Sequence, residues 1–263
     1  MNYNLHLIIA NGVLASGIAL GQVDPYSMVA LGDSVTTAFD AEGLFDNLQF
    51  SWSTGTSTDP RLVSHYSQLK QIMAPIEVLS ENMATAGSLA AETLAQAQHM
   101  QTTLPDYVTI LSGGNDVCTW THSAAEELPK FKRDLNATLD YLINSSRDVK
   151  ILLVPIPNMA DIYRLGIQNN CQEKWSIFHI CQKFLSPTNS DADRQIFLSD
   201  LEQMNLAIYE VAESRPQNVK FARGVDQATF EAEHISKIDC FHPSVAGQNY
   251  LSKLTWASGW FSF

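Results

Sequence analysis

The chain has 263 residues, of which 45% are hydrophobic, and this is enough for one α/β domain with a full core. Its 16 basic and 28 acidic residues give a formal net charge of -12, and no Lys or Arg precedes Arg61. Because phosphate binding requires clustered Lys and Arg, this balance argues against nucleic acid as a partner. The sequence predicts no transmembrane helix.

The N-terminal stretch from Leu5 to Leu20 is apolar. Ala19-Leu20-Gly21 has the small-x-small pattern of a signal-peptidase site, so we predict a secretory signal over residues 1–21 and a single domain over residues 22–263. The positively charged residues that usually begin such a signal are missing, and a disordered or loosely packed tail is the alternative.

Five short apolar runs predict β-strands: Met28–Leu31, Ile76–Leu79, Tyr107–Leu111, Val149–Val154 and Val219–Ala222. Apolar residues at helical spacing predict helices over residues 61–73, 88–99, 129–145 and 191–213, and a last helix that begins near residue 243. Strands that alternate with helices predict a parallel sheet covered on both faces, which is an α/β three-layer sandwich.

Some segments lack a clear period. Residues 34–60 are predicted to be a long surface loop with aromatic anchors, and residues 158–190 are predicted to be irregular. Ser88 is predicted to cap the helix that ends near His99. Because proline suits the first helical turn, Pro129 predicts the start of the helix that ends near Ser145, with Ala124–Leu128 as a separate turn.

Polar segments follow four of the predicted strands, where each strand ends. They are Gly32-Asp33-Ser34, Asn82 to Gly87, Gly113-Gly114-Asn115 and Asn158. Right-handed crossovers place the carboxyl ends of parallel strands at one edge of the sheet, where open α/β sheets bind ligands. A serine hydroxyl is a weak nucleophile without a base, so Ser34 is a candidate nucleophile only if a base reaches it.

Two histidines have a carboxylate three residues upstream, an arrangement that can orient an imidazole toward a serine. Asp239 precedes His242, and Pro243 fixes the backbone there at the start of a helix. Glu231 precedes His234 in a run that is typical of a solvated face, so His242 is preferred. An isolated Asp-x-x-His is usually a surface turn. No H-E-x-x-H or paired C-x-x-C motif predicts a metal site.

Acyl transfer also requires hydrogen-bond donors aimed at the oxyanion of the transition state. Gly113-Gly114 permits close approach of the backbone, the Asn115 amide supplies uncharged N–H groups, and Gly87 can offer its backbone N–H. Gly-Gly-Asn is also ordinary turn composition, and the string lacks the G-x-x-x-x-G-K-[ST] pattern of a phosphate loop. These residues are therefore candidate oxyanion donors, with a plain turn as the alternative.

The four cysteines, Cys118, Cys171, Cys181 and Cys240, are compatible with export and disulfide formation. Four cysteines allow three connectivities, and buried free thiols are the alternative. Because Cys171 and Cys181 lie in one irregular segment, the sequence favours a bridge between them.

In combination these motifs resemble those of the SGNH (GDSL) hydrolase superfamily. They occur in the same order as in that family and span the chain from about Val29 to the C-terminus. The matching residues are Gly32-Asp33-Ser34, Asn82-x-x-x-x-Gly87, Gly113-Gly114-Asn115-Asp116 and Asp239-x-x-His242. The resemblance implies a flavodoxin-like fold with a five-stranded sheet, and a hydrolase that needs no metal or organic cofactor. It implies Ser34 as nucleophile, His242 as base and Asp239 as the carboxylate that orients it.

The resemblance also implies an oxyanion hole. Its donors would be the backbone N–H groups of Ser34 and Gly87 and the side chain of Asn115. Asp33 and Asp116 would brace the site and take no part in the chemistry.

Three short strings are similar to the phospholipase B-like branch of the superfamily: Ser51–Gly55, Asn115–Cys118 and Asp239–His242. That branch also carries cysteines between the fourth strand and the last long helix. Cys118 and Cys240 each lie beside a site motif, which allows a second bridge between them.

The branch implies a secreted or extracytoplasmic serine esterase that works through an acyl-enzyme, of the lipase, phospholipase B or lysophospholipase type. Its partners would be a small-molecule ester or a lipid substrate, with transient contact to a membrane or micelle surface. Small soluble esters or acetylated carbohydrates are alternative substrates. A lipid- or carbohydrate-binding module without turnover is the alternative of another class.

Overall fold

The computed structural model describes residues 24–102 and 104–262, so the predicted signal over residues 1–21 lies outside the described residues. The strands are β1 (Tyr26–Gly32), β2 (Val78–Asn82), β3 (Tyr107–Leu111), β4 (Lys150–Val154) and β5 (Val219–Phe221). They form one sheet in the order β2-β1-β3-β4-β5, with every neighbouring pair parallel. The predicted five-stranded parallel sheet is confirmed.

Helices cover both faces of this sheet. They are α1 (His65–Ile72), α2 (Ala90–His99), α3 (Gly114–Thr119), α4 (Ala124–Ser145), α5 (Met159–Gln168), α6 (Gln172–Ile177), α7 (Gln182–Leu185), α8 (Asp191–Glu213) and α9 (Val245–Ala257). α2, α4 and α8 pack on one face, and α1 and α9 pack on the other. This arrangement confirms the three-layer sandwich. Within residues 24–102 and 104–262, no helix has the length and hydropathy needed to cross a membrane.

The central strand β3 shows why the sheet is covered on both sides. Side chains along a strand point alternately to its two faces. Val108 and Ile110 pack in the core with α2, α4 and α8, whereas Tyr107 and Leu111 pack in the core with α1 and α9. All five residues of β3 are buried, and its sequence is accordingly apolar except for Thr109.

The segment predicted to be irregular, residues 158–190, is largely helical and contains α5, α6 and α7. Asn158 caps α5, because its side chain accepts hydrogen bonds from the N–H groups of Ala160 and Asp161. Trp175 on α6 is fully buried and packs so closely on Gly166 of α5 that a Cβ there would lie 2.0 Å from the indole ring. α6 and α7 have 6 and 4 residues and are too short to show a clear period in the sequence, whereas the buried residues of α5 do lie at helical spacing, which the prediction overlooked.

Residues 34–60 are only partly the surface loop that the sequence predicts. Phe45 is 68% exposed, but Trp52 is fully buried and its backbone N–H donates to the Gln248 side chain at 2.9 Å. Ser53 is also buried and shares a 2.7 Å hydrogen bond with Thr109 of β3. Polar residues read as exposed in the sequence are here paired inside the protein, which removes the cost of burying them.

Two predicted helix starts are wrong. Leu89, not Ser88, precedes the first turn of α2, and its N–H donates to the Glu92 side chain at 2.8 Å. The Ser88 hydroxyl donates instead to the carbonyl of Gly32, at 2.8 Å. α4 begins at Ala124 and continues through Pro129, because the loss of one backbone hydrogen bond near its start is outweighed by the buried stripe that includes Ala124 and Phe131.

The disulfides are Cys118–Cys181 and Cys171–Cys240, so both pairings considered from the sequence, Cys171–Cys181 and Cys118–Cys240, are wrong. α6 lies between Cys171 and Cys181 along the chain, and its Trp175 indole donates to the Cys240 carbonyl at 3.1 Å. This contact holds the Cys171 end of the segment against the Cys240 loop. Cys181, at the start of α7, instead faces α3.

Candidate active site

The candidate site begins where β1 ends. Gly32 has a φ of +135°, and a Cβ at this position would lie 2.0 Å from the carbonyl oxygen of Leu111, so only glycine fits. The chain then turns, because the N–H groups of Thr36 and Thr37 both donate to the Asp33 carbonyl. Ser34 therefore stands in the first turn beyond the carboxyl end of the strand.

The structure brings Ser34, His242 and Asp239 together in a hydrogen-bonded chain. The Ser34 Oγ lies 2.8 Å from His242 Nε2, although the two residues are 208 positions apart. The other ring nitrogen, Nδ1, is hydrogen-bonded to Asp239 Oδ2. All three residues are at most 9% exposed. A hydroxyl, an imidazole and a carboxylate in this order can transfer a proton from the serine to the histidine.

The loop that carries Asp239 and His242 is fixed by its own backbone. Asp239 Oδ1 accepts from the N–H groups of Phe241, at 2.9 Å, and of His242, at 3.1 Å. The Ser236 N–H donates to the His242 carbonyl at 2.8 Å, which closes the turn. One Asp239 oxygen therefore shapes the loop while the other oxygen holds the imidazole.

The surroundings of Asp239 favour its ionised form. Burial opposes ionisation, but the hydrogen bond and charge of His242 and the two backbone N–H donors outweigh it and hold the pKa of Asp239 below its ordinary value. A carboxylate that stays ionised keeps the proton of His242 on Nδ1, which leaves Nε2 free to accept the Ser34 proton.

Gly87 and Asn115 lie beside Ser34 in the same cavity. Gly87 has a φ of +83° and open space where a Cβ would be. The Asn115 Nδ2 donates one hydrogen bond to the Ser88 carbonyl at 2.9 Å, which leaves its second N–H available. Among the residues that the structure describes, neither the Ser34 N–H nor the Gly87 N–H has an acceptor. Two of the three predicted donor groups thus have no acceptor among the described residues, and the Asn115 amide keeps one N–H free.

Asp33 and Asp116 hold backbone in place next to the site. Asp33 Oδ1 accepts from the Val35 N–H at 3.0 Å, and burial raises the pKa of Asp33 to about 7. Asp116 Oδ2 accepts from the N–H of Ala90, the first residue of α2, at 3.0 Å, and burial raises the pKa of Asp116 to about 6. Neither carboxylate is hydrogen-bonded to His242.

Other residues singled out in the sequence lie away from the site chemistry. His234 Nδ1 accepts from the Glu231 N–H and its ring stacks on Tyr250, so this pair is structural. Asn82 donates to the Thr36 carbonyl at 3.0 Å and to the Thr54 hydroxyl at 2.8 Å. It joins the turn after Ser34 to the buried segment near Trp52 and does not line the cavity.

Sequence reasoning missed the walls of the cavity. The cavity has a volume of about 400 Å³, and most of the side chains around Ser34 are apolar: Phe39, Ile156, Met159, Ile162, Ile180, Phe230, Ile235 and Phe241. Several of them come from the segment predicted to be irregular, among them Met159 and Ile162, which lie three residues apart on the buried face of α5. Within residues 24–102 and 104–262, no cluster of His, Cys, Asp and Glu side chains is arranged to hold a metal ion.

Comparison with known proteins agrees with this architecture. The lipase Lip_vut3 from a goat rumen metagenome is 18% identical, with a TM-score of 0.58, over 89% of this chain and 97% of that one. An extracellular lipase from Streptomyces rimosus is 15% identical, with a TM-score of 0.51, over 89% and 99%. Phospholipase A1 from Streptomyces albidoflavus is 14% identical, with a TM-score of 0.51, over 90% and 100%. These likenesses show a shared fold.

The family is shown by sequence. No curated protein matches the chain. The family model for GDSL-like Lipase/Acylhydrolase matches residues 28–255, a range that includes Ser34, Gly87, Asn115, Asp239 and His242. The chain belongs to the GDSL-like lipase/acylhydrolase family and is a carboxylic ester hydrolase.

Proposed function

We propose that the protein hydrolyses lipid esters through an acyl-enzyme on Ser34, as a secreted lipase of the phospholipase B or lysophospholipase type. The observation that carries this proposal is the hydrogen-bonded chain from Ser34 to His242 and Asp239, which ends in an apolar cavity. A family member with such a cavity has both a nucleophile and a place for an acyl chain.

In the first half of the reaction, His242 Nε2 takes the Ser34 proton as Ser34 Oγ attacks the ester carbonyl. Asp239 stabilises the imidazolium that forms. The tetrahedral intermediate collapses when His242 gives the proton to the leaving alcohol, and the acyl group remains on Ser34. A water molecule then attacks the acyl group and loses a proton to His242. His242 returns this proton to Ser34 Oγ, so the carboxylic acid leaves and the serine is regenerated.

The negative oxygen of each tetrahedral intermediate would be bound by the Ser34 N–H, the Gly87 N–H and the second N–H of Asn115. These groups come from three segments at the same end of the sheet. Because they are held in place before the substrate arrives, they stabilise the developing charge without reorganisation.

Replacing Asn115 by alanine is expected to lower kcat by about 10²- to 10³-fold, because one of the three donors is lost in the transition state. Hydrolysis of a p-nitrophenyl ester measures this loss. Asn218→Ala is the control, since its amide donates to the carbonyls of Arg147 and Val149 at the opposite edge of the sheet and its loss should leave kcat unchanged. Equal kcat values in the two variants would show that Asn115 is not a donor of the oxyanion hole.

The apolar cavity favours acyl chains longer than acetate. A short acetyl group would leave most of a cavity of about 400 Å³ unfilled, and its apolar walls gain most from buried methylene groups. Two exposed aromatic residues lie close to it: Phe45 packs against the cavity residue Phe39, and Phe178 precedes Ile180. We assign transient contact with a micelle or membrane surface to these side chains.

Ile180→Trp is expected to separate long acyl chains from short ones. The larger side chain fills the cavity, so kcat/KM for a long-chain ester should fall at least about tenfold while the acetate ester changes by less than about threefold. A panel of p-nitrophenyl esters graded by acyl length measures both values. Ile167→Trp, on α5 but 37% exposed and outside the cavity, is the matched control. A wild-type preference for acetate would favour the small-ester alternative.

The two disulfides support an extracytoplasmic location. Disulfides persist in oxidising compartments and are rare where thiols are kept reduced. All four cysteines are paired in the structure. Secretion is the proposal that fits these bridges and the predicted signal.

A further inference from the structure

The Gln96 side chain is hydrogen-bonded to the backbone of Gly32, two residues before Ser34. It lies on α2 and is 7% exposed. Its Nε2 donates to the Gly32 carbonyl at 2.9 Å, and its Oε1 accepts from the Gly32 N–H at 2.8 Å. One amide group thus satisfies both polar groups of a single backbone residue.

The hydrogen bonds of Gln96 to Gly32 take the place of pairing with β2, which does not extend to this residue. The pairing of β1 with β2 ends at Ala30 and Asn82, so the β2-facing side of Gly32 has no strand partner. Buried backbone N–H and C=O groups must be hydrogen-bonded, and a primary amide offers one donor and one acceptor in a fixed plane. Gln96 supplies that pair from the helix.

The Gly32 carbonyl also anchors the loop that carries Gly87. It accepts from the Thr85 N–H at 3.0 Å and from the Ser88 Oγ at 2.8 Å. Gln96 Nε2 contacts the same Ser88 Oγ at 3.2 Å. The loop is therefore held on both sides of Gly87 at one carbonyl oxygen.

The third donor is tied to the same loop. The Asn115 side chain donates to the Ser88 carbonyl at 2.9 Å, so Ser88 receives contacts from α3 through its backbone and from Gln96 through its hydroxyl. Gln96 itself does not line the cavity. Its hydrogen bonds go to Gly32, two residues before Ser34, and to Ser88, which follows Gly87.

We infer that Gln96 is a positioning residue for the oxyanion hole, which fixes the Ser34, Gly87 and Asn115 segments relative to one another. This inference rests on the proposed acyl-enzyme mechanism. The three donors come from separate segments, and the Gly32–Gln96–Ser88 hydrogen bonds join two of those segments directly and the third through Ser88. Small displacements of donors weaken transition-state binding more than substrate binding.

The test compares Gln96→Met with Thr93→Val. Methionine keeps the size of the side chain and removes its hydrogen bonds, and kcat should fall about 10- to 100-fold with KM changed less than about twofold. Thr93 lies one turn earlier on α2, is fully buried, and shares its hydroxyl with Thr138 and the Ala90 carbonyl, away from Gly32. Thr93→Val should destabilise the fold and leave kcat unchanged. A kcat loss shared by both variants, or absent from Gln96→Met, would overturn the inference.

A double-mutant cycle with Asn115→Ala separates positioning from general weakening of the fold. If Gln96 acts through the donors, Gln96→Met costs much less in the Asn115→Ala background than in the wild type. Full additivity would contradict the inference. A wild-type protein that forms no fluorophosphonate adduct at Ser34 would instead contradict the proposed acyl-enzyme mechanism. Failure of the Gln96 inference can therefore be told apart from failure of the mechanism.

Gln96→Glu gives a second readout if Gln96→Met does not fold. A protonated carboxyl can accept from the Gly32 N–H and donate to the Gly32 carbonyl, whereas an ionised one can only accept, and it repels that carbonyl. Burial raises the pKa of a carboxyl at this position. The ratio of variant kcat to wild-type kcat should therefore rise as the pH falls from about 8 to about 5. A ratio independent of pH, measured while circular dichroism shows a folded variant, would contradict the inference.

Discussion

Replacing Ser34 by alanine is expected to lower kcat for ester hydrolysis by about 10⁶-fold, because no other group at the end of the hydrogen-bonded chain can attack the ester. The oxyanion donors and the apolar cavity remain in the variant, so a residual rate above the uncatalysed reaction should persist. The lost hydrogen bond to His242 changes the free energy of unfolding by only about 1 kcal/mol. Loss of activity without loss of fold is the expected signature.

The measurement combines kinetics with covalent labelling. A fluorophosphonate should add to Ser34 of the wild-type protein, with loss of fluoride, and intact mass should show one adduct. Ser34→Ala should show none. Ser112→Ala is the control, because Ser112 is also a buried serine at the carboxyl edge of the sheet, and its hydroxyl has no hydrogen-bond partner among the described residues. This control should keep both activity and adduct.

Two results would contradict the assignment. A labelled Ser34→Ala variant with substantial turnover would place the nucleophile elsewhere. A wild-type protein that neither turns over esters nor takes the label would favour the binding-module alternative, in which the fold is kept without catalysis.

The parts of the fold that the sequence predicts best are those where one local signal dominates. The limits of β3 at Tyr107–Leu111 and of α8 at Asp191–Glu213 agree with the sequence, because a buried strand is a mostly apolar run and a long helix repeats its apolar stripe. Ser34 and Asn115 could be placed together for a similar reason. They follow strands, and parallel strands end at one edge.

The parts that could not be predicted depend on contacts between distant segments. Gln96 has the sequence pattern of an ordinary helix residue, and its partner Gly32 lies 64 positions away. The bridges Cys118–Cys181 and Cys171–Cys240 span 63 and 69 positions, whereas the sequence favours the local pairing of Cys171 with Cys181. Each of these features requires the packed fold to be known first.

The correct bridges connect the cavity wall with the groups proposed for catalysis. Cys118 lies on α3, the helix of Asn115, and its bridge to Cys181 itself borders the cavity. Cys240 lies between Asp239 and His242, and its bridge holds the start of α6. The segment of residues 158–190 is therefore covalently joined to α3 and to the loop that carries Asp239 and His242.

Asp239→Asn is expected to lower kcat by about 10⁴-fold with little change in KM, because an amide can donate to Nδ1 and hold the proton of His242 on Nε2. That tautomer cannot accept the proton of Ser34. The variant also loses stability at pH 7, since the lowered pKa of Asp239 means that its ionised form stabilises the fold above about pH 4. This contribution is lost as the pH falls through the folded-state pKa, so the stability gap between wild type and variant should narrow in acid.

Kinetics at neutral pH and urea unfolding between about pH 3 and pH 7 test both parts of this prediction. The control is Asp106→Asn. Asp106 accepts hydrogen bonds from the N–H and hydroxyl of Ser27 at the amino end of β3, so its loss should affect stability and not kcat. If Asp239→Asn and Asp106→Asn retained similar kcat values, His242 would not depend on a carboxylate for its tautomer. A stability gap for Asp239→Asn that widened in acid would mean that the pKa of Asp239 is raised by its burial and not lowered by His242.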